Sequence, residues 1–246
     1  MCTITFVPTS AASKEFILTS NRDEAVDRKT LIPDTYTENG TALLFPKDGL
    51  AGGTWIGLSE KKRVVCLMNG GFEKHVRKSS YAKSRGVVVK NLLTAKDLLP
   101  AFESENLEET EPFTCIVVEW KKALDLYQLV WDGSKRHILK LPIKNHIWAS
   151  SFLYAPETRL ERQQHFEAFS SKNLLTQEKI MNFHSSEDAE GGKGLIIDKG
   201  ILKTCSITQV IKTSAEVKMI YKDLLREGNP LFETVKYWVK PLSEAI

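Results

Sequence analysis

The feature that most constrains this chain is its succession of short apolar runs joined by turns too short to carry a crossover. Residues 3–7 and 15–20 read as two strands, and the polar stretch 10–14 between them makes a hairpin. A polar stretch containing Pro33 follows, then a short strand near 42–45. Residues 54–59 and 63–68 form a second hairpin around Glu60-Lys61-Lys62, closed by Asn69-Gly70-Gly71. Strands return at 113–119, 124–131 and 136–140, with Asp132-Gly133 as a turn signal. Further strands are expected at 147–149, 194–197, 203–211 and 216–221, with turns at Asp198-Lys199-Gly200 and Lys212-Thr213-Ser214. Parallel pairing would need connections of roughly a dozen residues or more, so the strands joined by these short turns pair antiparallel.

Helical periodicity is confined to two groups. One covers 84–92 and 95–103, where Ala95, Leu98, Leu99 and Phe102 share a face and Pro100 ends or kinks the second helix. The other is an amphipathic helix over 157–169, followed by one capped by Thr176. Gathered helices among antiparallel strands specify an α+β protein built in layers, not alternating βαβ units. No Pro/Gly/Ser-rich linker divides the chain, so residues 1–246 read as one domain.

Composition removes several function classes. A formal net charge of +3, with basic residues scattered, does not make a nucleic-acid surface. No apolar run is long enough to span a bilayer, and no secretion signal opens the chain. The four cysteines form no CxxC pair; Cys66 and Cys115 sit in strand-like apolar runs as core fillers. A reducing, cytoplasmic location is the expectation. Gly191-Gly192-Lys193-Gly194 lacks dinucleotide spacing, no Walker loop or HExxH is present, and the five histidines are dispersed, so no metal or resident cofactor is expected. His165, on the amphipathic helix, stands within reach of a ligand.

The chemistry gathers at the N-terminus. Removal of Met1 would leave Cys2 with a thiol and a free α-amine on one residue, a nucleophile carrying its own base. The second strand leads into Ser20-Asn21-Arg22-Asp23-Glu24, which by spacing alone reads as a solvated turn. Hairpin pairing changes that weight, because it sets Cys2 beside Asn21, Arg22 and Asp23. An Asp there would orient an ammonium group, and an Arg would favour thiolate. Asn69, at another strand end before two glycines, offers a side-chain amide for an oxyanion. Trp55 is a core aromatic or a pocket wall.

Met1-Cys2, Ser20-Asn21-Arg22-Asp23-Glu24, Gly52-Gly53-Thr54-Trp55-Ile56-Gly57, Met68-Asn69 and Ser84-Arg85-Gly86 occur in that order. This ordered set resembles the NRDE family, which takes its name from the tetrapeptide at 21–24 and includes a transport and Golgi organisation protein. The family is similar to N-terminal-nucleophile (Ntn) hydrolases of the penicillin V acylase and bile-salt hydrolase type. The resemblance implies a four-layer αββα sandwich of two antiparallel sheets. It implies Cys2 as nucleophile, Asp23 supporting its amine and Asn69 in the oxyanion hole; those enzymes carry their Arg slightly earlier, nearer Ser20, so Arg22 is a catalytic candidate from the hairpin pairing. Asn21, Trp55, Ser151 and Cys205 are carried over as substrate-binding positions, with Ser151 and Cys205 standing where the acylases place an Asn and an Arg. The function implied is an N-terminal cysteine amidohydrolase acting on a linear, non-peptide C–N bond of a small-molecule amide. The alternative is a non-catalytic haem- or lipid-handling protein in trafficking, binding a hydrophobic ligand on the same scaffold, with Cys2 as an axial ligand if the ligand is haem.

Overall fold

The computed structural model describes residues 3–9, 13–187, 194–225 and 232–237. Cys2, the turn residues 10–12 and the glycines at 191 and 192 lie outside the described residues.

β1 (Thr3–Pro8) and β2 (Phe16–Ala25) pair antiparallel with Thr3 opposite Asn21, which is the expected hairpin. β3 (Thr30–Glu38), β4 (Thr41–Asp48), β5 (Ile56–Ser59) and β6 (Arg63–Asn69) follow. Then come α1 (Arg85–Thr94) and α2 (Leu98–Ser104). β7 (Phe113–Glu119), β8 (Asp125–Trp131), β9 (Arg136–Leu141) and β10 (His146–Ala149) precede α3 (Pro156–Lys172) and α4 (Gln177–His184). β11 (Asp198–Lys199), β12 (Leu202–Lys212), β13 (Val217–Asp223) and β14 (Phe232–Tyr237) complete the order.

The strands form two antiparallel sheets. One runs β10-β1-β2-β12-β13-β14, with β11 also on β12; the other is an unbroken meander from β3 to β9. Each inserted helix pair covers one sheet: α1 packs on β4, β5 and β6, while α3 packs on β10 and α4 on β2 and β12. The layers are therefore helix, sheet, sheet, helix. Among the described residues no helix is long and apolar enough to cross a membrane.

Alternation along β2 connects sequence to layers. Phe16 and Leu18 belong to the large core shared with the second sheet, whereas Ile17 belongs to the cluster under α3 and α4 with Phe166, Ile180 and Phe183. Continuing the period of two, Ser20 and Arg22 share the side of Phe16 and Leu18, and Thr19, Asn21 and Asp23 share the side of Ile17.

Several expectations need correction. Residues 30–38, read as a polar stretch, are an edge strand. Its exposed positions, Pro33 and a register shift between Leu31 and Asp34 are edge features, and they erase the alternation by which strands are recognised. Residues 194–197 are not a strand; only Asp198–Lys199 pairs with β12 across Gly200, whose φ of +71° closes the turn. Pro100 neither ends nor kinks a helix, because α2 starts at Leu98 and the proline falls in its first turn, where its missing N–H has no intrahelical partner to lose.

Candidate active site

The tetrapeptide at 21–24 is not a solvated turn. β2 continues through it because β12 pairs with it: Asn21 lies between Thr3 and Ile207, Arg22 lies opposite Ser206, and Asp23 opposite Thr204. Asn21, Arg22 and Asp23 are all buried. Their alternation sends them to opposite faces.

On the inter-sheet side, Arg22 Nη2 donates to Asp48 Oδ2 at 3.0 Å, and its guanidinium lies 4.6 Å from the Trp55 ring centroid. Arg28 Nε donates to the same Asp48 oxygen at 2.8 Å, and the other oxygen accepts from the Leu50 and Ala51 amides. Burial raises the Asp48 carboxyl, but the Ala51 amide and the two arginines outweigh it and hold the group below its usual range. Asp48 thus fixes Arg22 in position. Arg22, Trp55, Leu67 and Asn69 line a small cleft of about 70 Å³, floored by Gly53 and Thr54 and bounded by Ser84, Arg85 and Gly86 at the start of α1. Trp55 is both core and pocket wall: it is buried, lines this cleft, and its Nε1 has no hydrogen-bond partner among the described residues.

The backbone around Asn69 is tightly tied. Ser150 Oγ donates to the Asn69 carbonyl at 2.7 Å, and Ser151 Oγ donates to the Gly71 carbonyl at 2.8 Å. Gly70, with φ of +90°, passes so close to Ser151 and Phe152 that a Cβ would lie 2.9 Å from the Phe152 amide nitrogen. Ser151 therefore positions the Asn69-Gly70-Gly71 backbone and is not among the residues lining the cleft.

On the helix side, Asp23 is the centre. Thr204 Oγ1 donates to its Oδ1 at 2.6 Å and Tyr154 Oη donates to its Oδ2 at 3.2 Å. The buried Arg162 of α3 places its guanidinium over Tyr154, 3.9 Å from the ring centroid, and donates to Thr3 Oγ1. Asn21 is fully engaged elsewhere: its Nδ2 donates to the carbonyls of His184 and Leu195, both at 3.1 Å. Its Oδ1 accepts from His184 Nδ1, so His184 Nε2 is left to accept from Thr5 Oγ1 at 2.8 Å. Asn21 holds α4 against β2, and both of its Nδ2 donors are spent on backbone carbonyls.

Cys205 occupies the register shift where β12 crosses β2, between Thr204 and Ser206. Its thiol contacts the carbonyls of Glu24 and Lys203, both at 3.4 Å, and it is not among the residues lining the cleft. Burial pushes this thiol up despite the charge of Arg22 nearby.

Arg22, Trp55 and Asn69 are thus brought together, Asp23 lies on the other face of the same strand, and Asn21, Ser151 and Cys205 serve neighbouring backbone or helices. Asp48, Tyr154 and Arg162 were not singled out by sequence. Arg162 left one signal, a charge four residues before Phe166 on the buried stripe of α3. Among the described residues no group of three or more His, Cys, Asp or Glu side chains could hold a metal ion.

Comparison with known proteins follows this geometry. Residues 1–191 match the family described as Transport and Golgi organisation 2. Over 101 residues, the chain is 34% identical to the mouse (Mus musculus) Transport and Golgi organization 2 homolog. It is 33% identical over 101 residues to the Bos taurus protein of the same description. Each match covers 39% of this chain and 36% of the relative, so the similarity spans about a third of those proteins. Among solved structures, a Caenorhabditis elegans ortholog of N-acylethanolamine-hydrolyzing acid amidase superposes with a TM-score of 0.57 at 14% identity. The match covers 85% of this chain and 92% of that one. Penicillin V acylase from Agrobacterium tumefaciens gives 0.53 at 10% identity, over 92% and 84%. At such identities the likeness establishes the fold, an Ntn-hydrolase-like sandwich.

Proposed function

The chain belongs to the Transport and Golgi organisation 2 family, and we propose that it is an N-terminal cysteine amidohydrolase acting on a linear, non-peptide amide. The observation that carries this reading is Asp23, a buried carboxylate with both oxygens hydrogen-bonded, two register positions beyond the partner of Thr3. Cys2 is one peptide bond from Thr3, so its α-carbon lies about 3.8 Å from that residue's. A carboxylate fixed there is suited to orient the amine that loss of Met1 would free.

The α-amine of Cys2 accepts the thiol proton, and the thiolate adds to the amide carbonyl carbon. The carbonyl oxygen becomes an oxyanion, which Asn69 Nδ2 and a backbone N–H stabilise. The C–N bond breaks as the α-ammonium returns its proton to the leaving nitrogen, leaving a thioester. Water, deprotonated by the same amine, hydrolyses the thioester to a carboxylic acid and restores the thiol. Arg22, held by Asp48 and Trp55, supplies a fixed positive charge beside this sequence of steps. The tether of Ser150 and Ser151 on 69–71 supports the required rigidity.

Intact mass and an acylating probe test the reading together. The purified protein is expected to lack Met1 and to carry one acyl adduct on residue 2. Cys2→Ala should abolish the adduct, and Asn69→Ala should slow acylation by about 10²–10³-fold. Retention of Met1 throughout a well-folded preparation removes the base and overturns the mechanism.

A further inference from the structure

Beside the Arg22–Asn69 cleft lies a larger groove of about 490 Å³, lined in part by Arg77, Lys78, Lys83, Arg85 and Glu111. Arg28, Ala51, Ser84 and Arg85 line both cavities, so the two are contiguous.

The groove's charge is one-sided. Arg28 is committed to Asp48 and Glu24, and Lys83 to Glu105. That leaves a single lining carboxylate, Glu111. It forms an ion pair with Arg85 Nη2 at 3.1 Å, lies 3.7 Å from Arg77 Nε, and also contacts His75 Nε2 at 3.2 Å. Two guanidiniums thus share one acid, and Lys78 has no ion-pair partner among the described residues. Arg85 carries a further unmet demand: its Nη1 is buried without a hydrogen-bond partner among the described residues. A buried, unpaired N–H on a charged group is costly, and an anionic oxygen is the acceptor that relieves it best. Arg85 stands where the groove opens into the cleft, at the first position of α1, whose N-terminal end also favours negative charge.

We propose that the groove takes an acidic group on the amine half of the substrate, so that the protein acts on N-acyl amides whose amine portion ends in a carboxylate, as in N-acyl amino acids. This rests on the amidohydrolase reading above. The amide lies in the Arg22–Asn69 cleft, the carboxylate pairs with Arg85, and Arg77 and Lys78 add longer-range attraction. A neutral hydroxyl at the same place would satisfy one donor and leave the charge excess uncompensated.

The test compares N-lauroylglycine with N-lauroylethanolamine, which share an acyl chain and differ in the charged end. The glycine conjugate is expected to have a kcat/KM at least about tenfold higher, mainly through KM, with the advantage shrinking as salt rises. Arg85→Met should abolish the preference. The Arg77→Gln, Lys78→Gln double variant should reduce the preference and flatten its dependence on salt. Equal turnover of the two conjugates, or a preference that survives Arg85→Met, overturns the proposal. If neither conjugate is hydrolysed, the hydrolase reading fails, and titration calorimetry on Cys2→Ala decides the groove separately. Salt-sensitive binding of N-lauroylglycine that weakens in the Arg85→Met background sustains it. Equal binding of both conjugates, or none, overturns it.

Discussion

His184 is a neutral imidazole locked between Thr5 and Asn21, and its surroundings forbid a second proton. Burial, and then the charge of Arg162, push its pKa down to about 3. In the unfolded chain the same group titrates near its ordinary value of about 6.5. Between those values the unfolded state binds more protons, so stability is complete above about pH 6.5 and declines as pH falls toward 3. The expected loss between pH 7 and pH 5 is about 2 kcal/mol. Urea unfolding at the two pH values should show it, and His184→Gln, which cannot titrate but retains a donor for Asn21, should remove most of that difference. The depressed Asp48 carboxyl acts in the same direction at lower pH. A second residue-scale expectation concerns Tyr154. Tyr154→Phe deletes a hydrogen bond that orients Asp23 and should cost about 1–3 kcal/mol in urea unfolding, as befits a bond to a buried carboxylate. On the hydrolase reading it also slows acylation, and Asp23→Asn slows it more.

At the scale of elements, the turn after β6 ties the sheets to the candidate site. Gly70→Ala forces a side chain into the φ of +90° and against the Phe152 backbone. The expected destabilisation is about 2–4 kcal/mol, read as a drop in the urea midpoint; on the hydrolase reading, the shift of Asn69 also slows acylation of Cys2. Sequence revealed this turn through Asn69-Gly70-Gly71, since only a glycine pair behind a strand end gives so local a signal. It revealed the first hairpin and the α+β class for a similar reason, since alternation and turns are short-range patterns, while the four-layer order came from the family resemblance. It misjudged where β2 ends, because polar residues at 20–24 look solvated until β12 is known to pair with them from almost two hundred residues away. That Arg22 meets Asp48, and that a register shift sets Cys205 beside the Glu24 carbonyl, has no local signal in the sequence. The side of a strand on which a residue falls can be counted from sequence; the partner that meets it there cannot.

At the scale of the whole molecule, three cysteines report on different parts of the sandwich. Cys66 on β6 faces Ser20 across the inter-sheet core, and burial pushes its thiol up to about 12. Cys115 on β7 pairs with the neighbouring register, opposite Leu67, which places it on the other side of the second sheet; burial raises it as well. Cys205 lies in the first sheet. All three are buried, so none should react with a thiol reagent at pH 7.5 in the native state. One apolar cluster runs through Ile4 and Phe6 of the first sheet, Cys66 and Cys115 of the second, and Val88 and Phe102 of α1 and α2. Shared packing of that kind makes independent unfolding of either sheet unfavourable, because each would expose the face of the other. Pulsed alkylation in rising urea, read by peptide mass spectrometry, should therefore label Cys66 and Cys115 in one coincident transition, with Cys205 at the same midpoint or earlier. Two separated transitions for Cys66 and Cys115 would mean that the helix-covered side of the second sheet opens apart from the inter-sheet core, and residues 1–246 would not then fold as one cooperative domain.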